Sequence, residues 1–380
     1  MNRRRLPHIG WWMLAIVPLL LMAVSAPFAI DYYRAKRLEA LVEAAGGTVK
    51  FERRGPAWLW DVAIENGVEG WLSFLQTRLT RVFLDGDSID DEWLRNLVSY
   101  HDIEVLRLEN TKVTDHGLLA LSSLPGLVAL DLTGSDIHGS GLALLKDCPH
   151  LAALVLDGCP IQSSMLDPKL TLPELEFFSA EDVAIATLDC QFLSNSPRFY
   201  SLWLKGTQVD DRLDKLISQL PQLKWVSLER SRVTDAIVPQ LAKLEKLSCL
   251  SLSETSVTDR GAQEISEFRQ PLEFLELSGT EITDQGTDHF CQLRSLVTLN
   301  LSNTRISDET LRRVLNLPHL RSCDLSGTDV TDTGLDSLVD DSLPEREIGI
   351  ADTAISEDAV ARTLGVHPSW EFVRKRLLTQ

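Results

Sequence analysis

A motif returns every 24 or 25 residues from Leu79 to about residue 366, and twelve copies line up in one register. With Ile103 as position zero, one copy runs Ile103, Leu106, Leu108, Thr111, Val113, Thr114, Asp115, Gly117, Leu118, Leu121, Leu124. The same slots recur at Leu272, Leu275, Leu277, Thr280, Ile282, Thr283, Asp284 and Gly286. Units of this length cannot bury their apolar faces alone, so they stack and share one continuous core whose two ends need lids. The period therefore dictates an elongated array before any other property of the chain is consulted.

Two columns test the register. Ten residues into each copy stand Ile89, Val113, Ile137, Ile161, Ile185, Val209, Val233, Val257, Ile282, Ile306, Val330 and Ile355, every one β-branched and aliphatic. Five residues in, ten of the twelve are leucine, the exceptions being Ala180 and Ile350. Apolar and polar residues mostly alternate around each Leu-x-Leu centre, the period of a short strand with one buried face. A second apolar set at spacing three, such as Leu118, Leu121 and Leu124, suits a short helix or 3₁₀ segment across the strand. The fold class is α/β.

These residues resemble the leucine-rich repeat family, whose signature is L-x-x-L-x-L-x-x-(N/C). The resemblance covers about three quarters of the chain, residues 79–366, and is nearest to a membrane-anchored bacterial subgroup with a Thr-x-Val-Thr-Asp repeat. It implies a curved horseshoe, with parallel strands on the concave face and short helices on the convex face. The usual Asn or Cys slot is mostly a hydroxyl here, as at Thr111, Ser135, Thr207, Thr255 and Thr328, with Cys159 closer to the family pattern. Buried after each strand, that hydroxyl satisfies backbone groups otherwise orphaned inside the stack. The Asp that follows Thr or Ser (Asp115, Asp235, Asp259, Asp284, Asp308, Asp332) is expected to cap the outer helix.

Residues 31–78 and 367–380 are expected to form the two lids. The first holds a helical stretch around Leu38 and Val42 closed by Gly46 and Gly47, a strand over Thr48 to Glu52, and a segment with Trp58, Trp60, Trp71 and Phe74. Ahead of it, three arginines precede an apolar run over residues 6–30, long enough for a bilayer core of about 30 Å. Trp11 and Trp12 sit where an interfacial belt would be. Val24, Ser25 and Ala26 form a small-residue cleavage site, but Pro27 argues against cleavage. The expectation is an N-terminal transmembrane helix within residues 1–30, making a single-pass membrane protein with its repeats on the extracytoplasmic side.

Charge narrows the partners. The chain carries a net −18, and residues 1–78 hold ten Lys or Arg against seven Asp or Glu, so the remainder carries −21. An acidic solenoid repels phosphate backbones, which excludes nucleic acid as an expected partner. Of the six cysteines, Cys148, Cys159, Cys190 and Cys323 occupy core-facing slots in different columns, with no zinc spacing among them. No nucleophile elbow, metalloprotease helix, phosphate loop or dinucleotide fingerprint appears, so neither enzymatic activity, nor a metal, nor a cofactor is expected.

What remains is the outward-facing polar positions of the strands, two and four residues into each repeat. Aromatic residues collect there in the middle of the array: Phe177, Trp203 and Trp225, with Tyr200 alongside and Phe274 further on. Glu176, Glu181, Lys205, Lys224, Glu229 and Arg230 rim them. Exposed aromatics ringed by charge are the composition of binding hot spots, although the same rings packed on one another would stiffen the sheet. Two functions follow from the sequence: a module binding a protein or peptide on its concave face, which the resemblance also implies, or a structural envelope protein without a specific ligand.

Overall fold

The computed structural model describes residues 30–53, 77–162, 165–336 and 345–374. Its strands form one fourteen-stranded sheet in strict sequence order. β1 (Thr48–Arg53) runs antiparallel to β2 (Thr77–Asp85), and each later strand lies parallel to its predecessor. The series continues through β3 (Val105–Glu109), β4 (Ala129–Asp131), β5 (Ala153–Val155), β6 (Phe177–Ser179) and β7 (Ser201–Trp203). It is completed by β8 (Trp225–Ser227), β9 (Cys249–Ser251), β10 (Phe274–Glu276), β11 (Thr298–Asn300), β12 (Ser322–Asp324), β13 (Glu347–Gly349) and β14 (Glu371–Val373). Each repeat thus adds one strand to the last. Strands stack about 4.8 Å apart whereas helices need about 10 Å, so the strand side is the inner side of the curve.

The tenth-position aliphatics are all core, none more than 3% exposed. The fifth-position column from Leu84 to Ile350 is buried with it. The hydroxyl slot works as the residue chemistry requires: Thr207, Thr255, Thr280 and Thr328 each donate to the carbonyl three residues back, at 2.5–2.7 Å. Ser135 Oγ and Cys159 Sγ instead reach the preceding repeat, at Leu108 and Leu132. Cys148, Cys159, Cys190 and Cys323 are buried free thiols; burial pushes the Cys159 and Cys190 thiols up to about 12.

The role expected of the aspartates is corrected. The cap is the preceding hydroxyl: Thr234, Thr258 and Ser307 accept from backbone N–H groups two residues on. Each Asp lies one residue further and accepts across to the next repeat. Thr258 N and Oγ1 donate to Asp235 at 2.8 and 2.6 Å, and Ser307 N and Oγ to Asp284 at 2.9 and 2.6 Å. The same double rung joins Asp91 to Thr114, Asp211 to Thr234, Asp259 to Thr283, Asp308 to Thr331 and Asp332 to Ser356. A hydroxyl that caps its own helix and donates backwards needs a carboxylate behind it, which is why Thr and Asp travel as a pair.

The expected membrane helix is also corrected. Among the described residues no helix is long and apolar enough to cross a membrane, so the structure does not support the single-pass anchor expected for the fold and the location. The apolar run itself, up to residue 29, lies outside the described residues. The first described helix, residues 30–44, cannot take that role for a physical reason. It is amphipathic, with Ala35, Leu38 and Val42 buried against the first strands and Arg34, Lys36, Arg37 and Glu39 on its other faces. Tyr100 Oη donates to the Arg34 carbonyl at 2.9 Å, holding the helix to the stack. Gly46, at φ 84°, ends it, and at Gly47 a Cβ would strike the Phe83 carbonyl and Val42. Trp58, Trp60, Trp71 and Phe74 lie outside the described residues. At the far end β14 pairs with β13 and Trp370 is buried.

Candidate binding groove on the strand face

Positions two, four and six of neighbouring repeats point to the same side of the sheet, because side chains alternate along a strand. In the middle of the array these positions line a groove of about 420 Å³. Trp203, Trp225 and Phe274 form its aromatic walls, Cys249, Ser227 and Ser251 its floor, and Glu181, Lys205, Glu229 and Glu276 its charged margin. Trp225 and Phe274 each pair in register with Cys249, so two large rings flank one small side chain. Along position four, Trp203 is followed on adjacent strands by Ser227, Ser251 and Glu276. Small residues between large ones make the hollow.

The rings are not equivalent. Trp203 is held: its Nε1 donates to Ser201 Oγ at 2.9 Å, and its ring lies 6.2 Å from that of Phe177. Trp225 is 45% exposed, a large apolar surface left to solvent. Of the five aromatics singled out from sequence, Trp203, Trp225 and Phe274 share the groove, whereas Phe177 stands behind Trp203 as a buttress. Tyr200 sits at the edge with Lys224 Nζ 5.7 Å from its ring centre, outside the lining.

Electrostatics are dominated by partly desolvated carboxylates. Burial pushes Glu276 above the usual carboxylate range, and burial with neighbouring Asp157 does the same to Glu181. Lys205 pairs with Glu229 at 2.9 Å, and that hydrogen bond raises the lysine. Burial also raises the Cys249 thiol, which keeps it protonated and makes it a floor rather than a nucleophile. At the margin Arg230 pairs with Asp182 across Gly206, where any Cβ would collide with the Asp182 carboxylate. Neither Glu276 nor Cys249 stands out in the sequence as a site residue. The usable signal was the alternation of one small residue between two aromatics in a single column.

A leucine-rich repeat family model matches residues 316–339. With the parallel ladder, the buried repeat columns and that match together, the architecture is settled. This is a leucine-rich repeat fold. A solved internalin from Listeria monocytogenes superposes on the solenoid with TM-score 0.55 and 18% identity, covering 82% of this chain and 95% of its own. A leucine-rich repeat protein of Leptospira interrogans gives TM-score 0.49 and 16% identity, covering 78% of this chain and 90% of its own. The Arabidopsis receptor kinase HAESA, solved with the peptide hormone IDA and the co-receptor SERK1, gives 0.48 and 16%, over 73% of this chain and 51% of its own. No curated protein sequence matches the chain.

Proposed function

We propose that this leucine-rich repeat solenoid is a binding module that takes a protein or peptide partner on its concave strand face, with the groove between Trp203, Trp225 and Phe274 at the centre. The observation that carries this reading is Trp225, whose ring is 45% exposed yet framed by a groove rather than lying on open surface. An indole in such a position contributes to binding by desolvation on contact, the property that makes tryptophan the commonest hot-spot residue. Three-residue strands repeated in strict register hold the wall residues rigidly, so little ordering is required when a partner docks. Phe177 fixes Trp203, and Tyr200 with Lys224 supplies an amphipathic rim.

The test compares partner capture by the full chain with capture by a Trp203→Ala, Trp225→Ala double variant. The expected outcome is loss of the specific partner with an unchanged melting temperature for the Trp225→Ala single variant, because that ring packs little. An identical set of captured partners from both proteins would overturn the reading.

A further inference from the structure

One acidic side chain in the groove lacks the local partner that its counterparts have. At the same fourth strand position, Asp131 accepts from Thr133 Oγ1 at 2.6 Å, Asn300 from Ser302 Oγ at 2.8 Å and Asp324 from Ser326 Oγ at 2.6 Å. Each is satisfied by the hydroxyl two residues on. Two residues after Glu276 stands Ser278, but its hydroxyl pairs with that of Ser302 at 2.8 Å. Glu276 is only 7% exposed, lines the groove, and its Oε1 has no hydrogen-bond partner. Beside it on β9, the Ser251 hydroxyl is near enough to offset part of the effect of burial on Glu276, but its Oγ completes no hydrogen bond of ordinary geometry.

A buried carboxylate oxygen left unmatched is costly, and the cost is relieved when a donor or a positive charge meets it. Lys205 does not serve, since it is committed to Glu229. Three glutamates and one lysine leave the groove negative. Next to this carboxylate, Trp225 and Phe274 stand two strand spacings apart, about 10 Å between backbones, with only Cys249 between them. Aromatic faces beside an anionic end attract cations and accept the aliphatic stem that carries them.

We propose that the groove receives a cationic side chain, a guanidinium or an ammonium, presented by the protein or peptide partner, with its stem between Trp225 and Phe274 and its head on Glu276. This rests on the concave-face reading above and adds the chemistry of what is read. The aromatic slot supplies contact area, and the unmatched Oε1 supplies selection for charge. An acidic or phosphorylated segment is rejected by Glu181, Glu229 and Glu276 together.

The experiment selects binders from a random-peptide display library on the full wild-type chain and on the Trp203→Ala, Trp225→Ala variant in parallel. Peptides that bind only the wild type are then resynthesised with each Arg replaced by citrulline and each Lys by norleucine. The expected result is that one basic residue is required, its neutral replacement weakening binding by about tenfold or more. In Glu276→Gln the charged and neutral peptides should bind alike. Tryptophan-dependent peptides that tolerate neutralisation of every basic residue would overturn the cation while leaving the binding module standing. A library yielding no peptide that distinguishes wild type from double variant would overturn both. Should Glu276→Gln melt early, the citrulline and norleucine comparison on the wild type decides alone.

Discussion

At the scale of single residues, the seventh position of every repeat is the clearest case of a constraint that the backbone imposes and the sequence hides. Gly86, Asn110, Gly134, Gly158, Asp182, Gly206, Arg230, Glu254, Gly279, Asn303, Gly327 and Asp352 all have positive φ, between 50° and 96°. The turn that leaves each strand requires the left-handed region, yet five residue types occupy it, so no single letter marks the column. Glycine, asparagine and aspartate adopt this conformation readily, whereas a long side chain there costs about 1–2 kcal/mol. Glu254, at φ 52°, carries that cost with no ion pair among the described residues. Replacing it by glycine removes the strain but frees the unfolded chain by about 0.5–1 kcal/mol. The net expectation for Glu254→Gly is a gain of about 0.5–1 kcal/mol, measured as a shift of the denaturant midpoint with unchanged slope. A loss of stability would mean that the turn tolerates glutamate without strain.

Individual elements show how much of the fold was legible and where legibility stopped. The strands were readable because Leu-x-Leu alternation and the β-branched column both report burial directly. The outer segments were less so, since spacing three is compatible with α-helix and 3₁₀-helix alike. Repeats eight and ten form α-helices at Asp259–Ser266 and Asp308–Val314, while repeats three and five form 3₁₀ segments at Ser140–Asp147 and Thr187–Asn195. The aspartate is replaced by Gly139 and Thr187 in the latter pair, but it does not decide alone: repeat nine keeps Asp284 and still forms only a 3₁₀ segment, at Phe290–Gln292. Reading each Asp as a cap for its own helix missed its partner one repeat later, because only stacking brings the two together. The groove shows the same limit: Trp203 and Trp225 were visible as aromatics, but the unmatched carboxylate of Glu276 depends on where Ser278 spends its hydroxyl.

The ladder also makes a pH prediction. Asp284 accepts from the N–H and hydroxyl of both Ser307 and Thr310. Burial alone would raise its carboxyl, but those four bonds outweigh burial and hold it below the usual range. The half-buried Asp332 is lowered by its bonds to Ser356. A carboxyl whose folded pKa is depressed adds stability that is present above its unfolded value and disappears as pH falls through the folded value. Asp284→Ala should therefore cost about 1.5–3 kcal/mol at neutral pH, the range for hydrogen bonds to a charged group. The gap to wild type should shrink below about pH 4, where the ordinary aspartate protonates. Chemical denaturation of both proteins across pH gives the comparison; a difference independent of pH would assign the effect to packing instead.

For the whole molecule, one continuous core and purely sequential strand order mean that each repeat packs chiefly on the repeats on either side, the surface pair of Arg230 with Asp182 reaching one repeat further. Cooperativity is then the product of nearest-neighbour interfaces, and damage spreads only as far as those interfaces are strong. Leu252, fully buried between Leu228 and Leu277 of the fifth-position column, lies under the floor of the groove. Truncation to alanine leaves a cavity worth about 2–5 kcal/mol. Hydrogen exchange in Leu252→Ala should lose protection across β8 to β10, and with it the fixed spacing of Trp225, Cys249 and Phe274, while β3 and β4 exchange as in wild type. The matching change at Leu108, six repeats away, should do the reverse, loosening β2 to β4 and leaving the groove intact. Loss of protection along the entire ladder from either substitution would show the solenoid to be one cooperative unit, and the groove could not then be tuned independently of the ends.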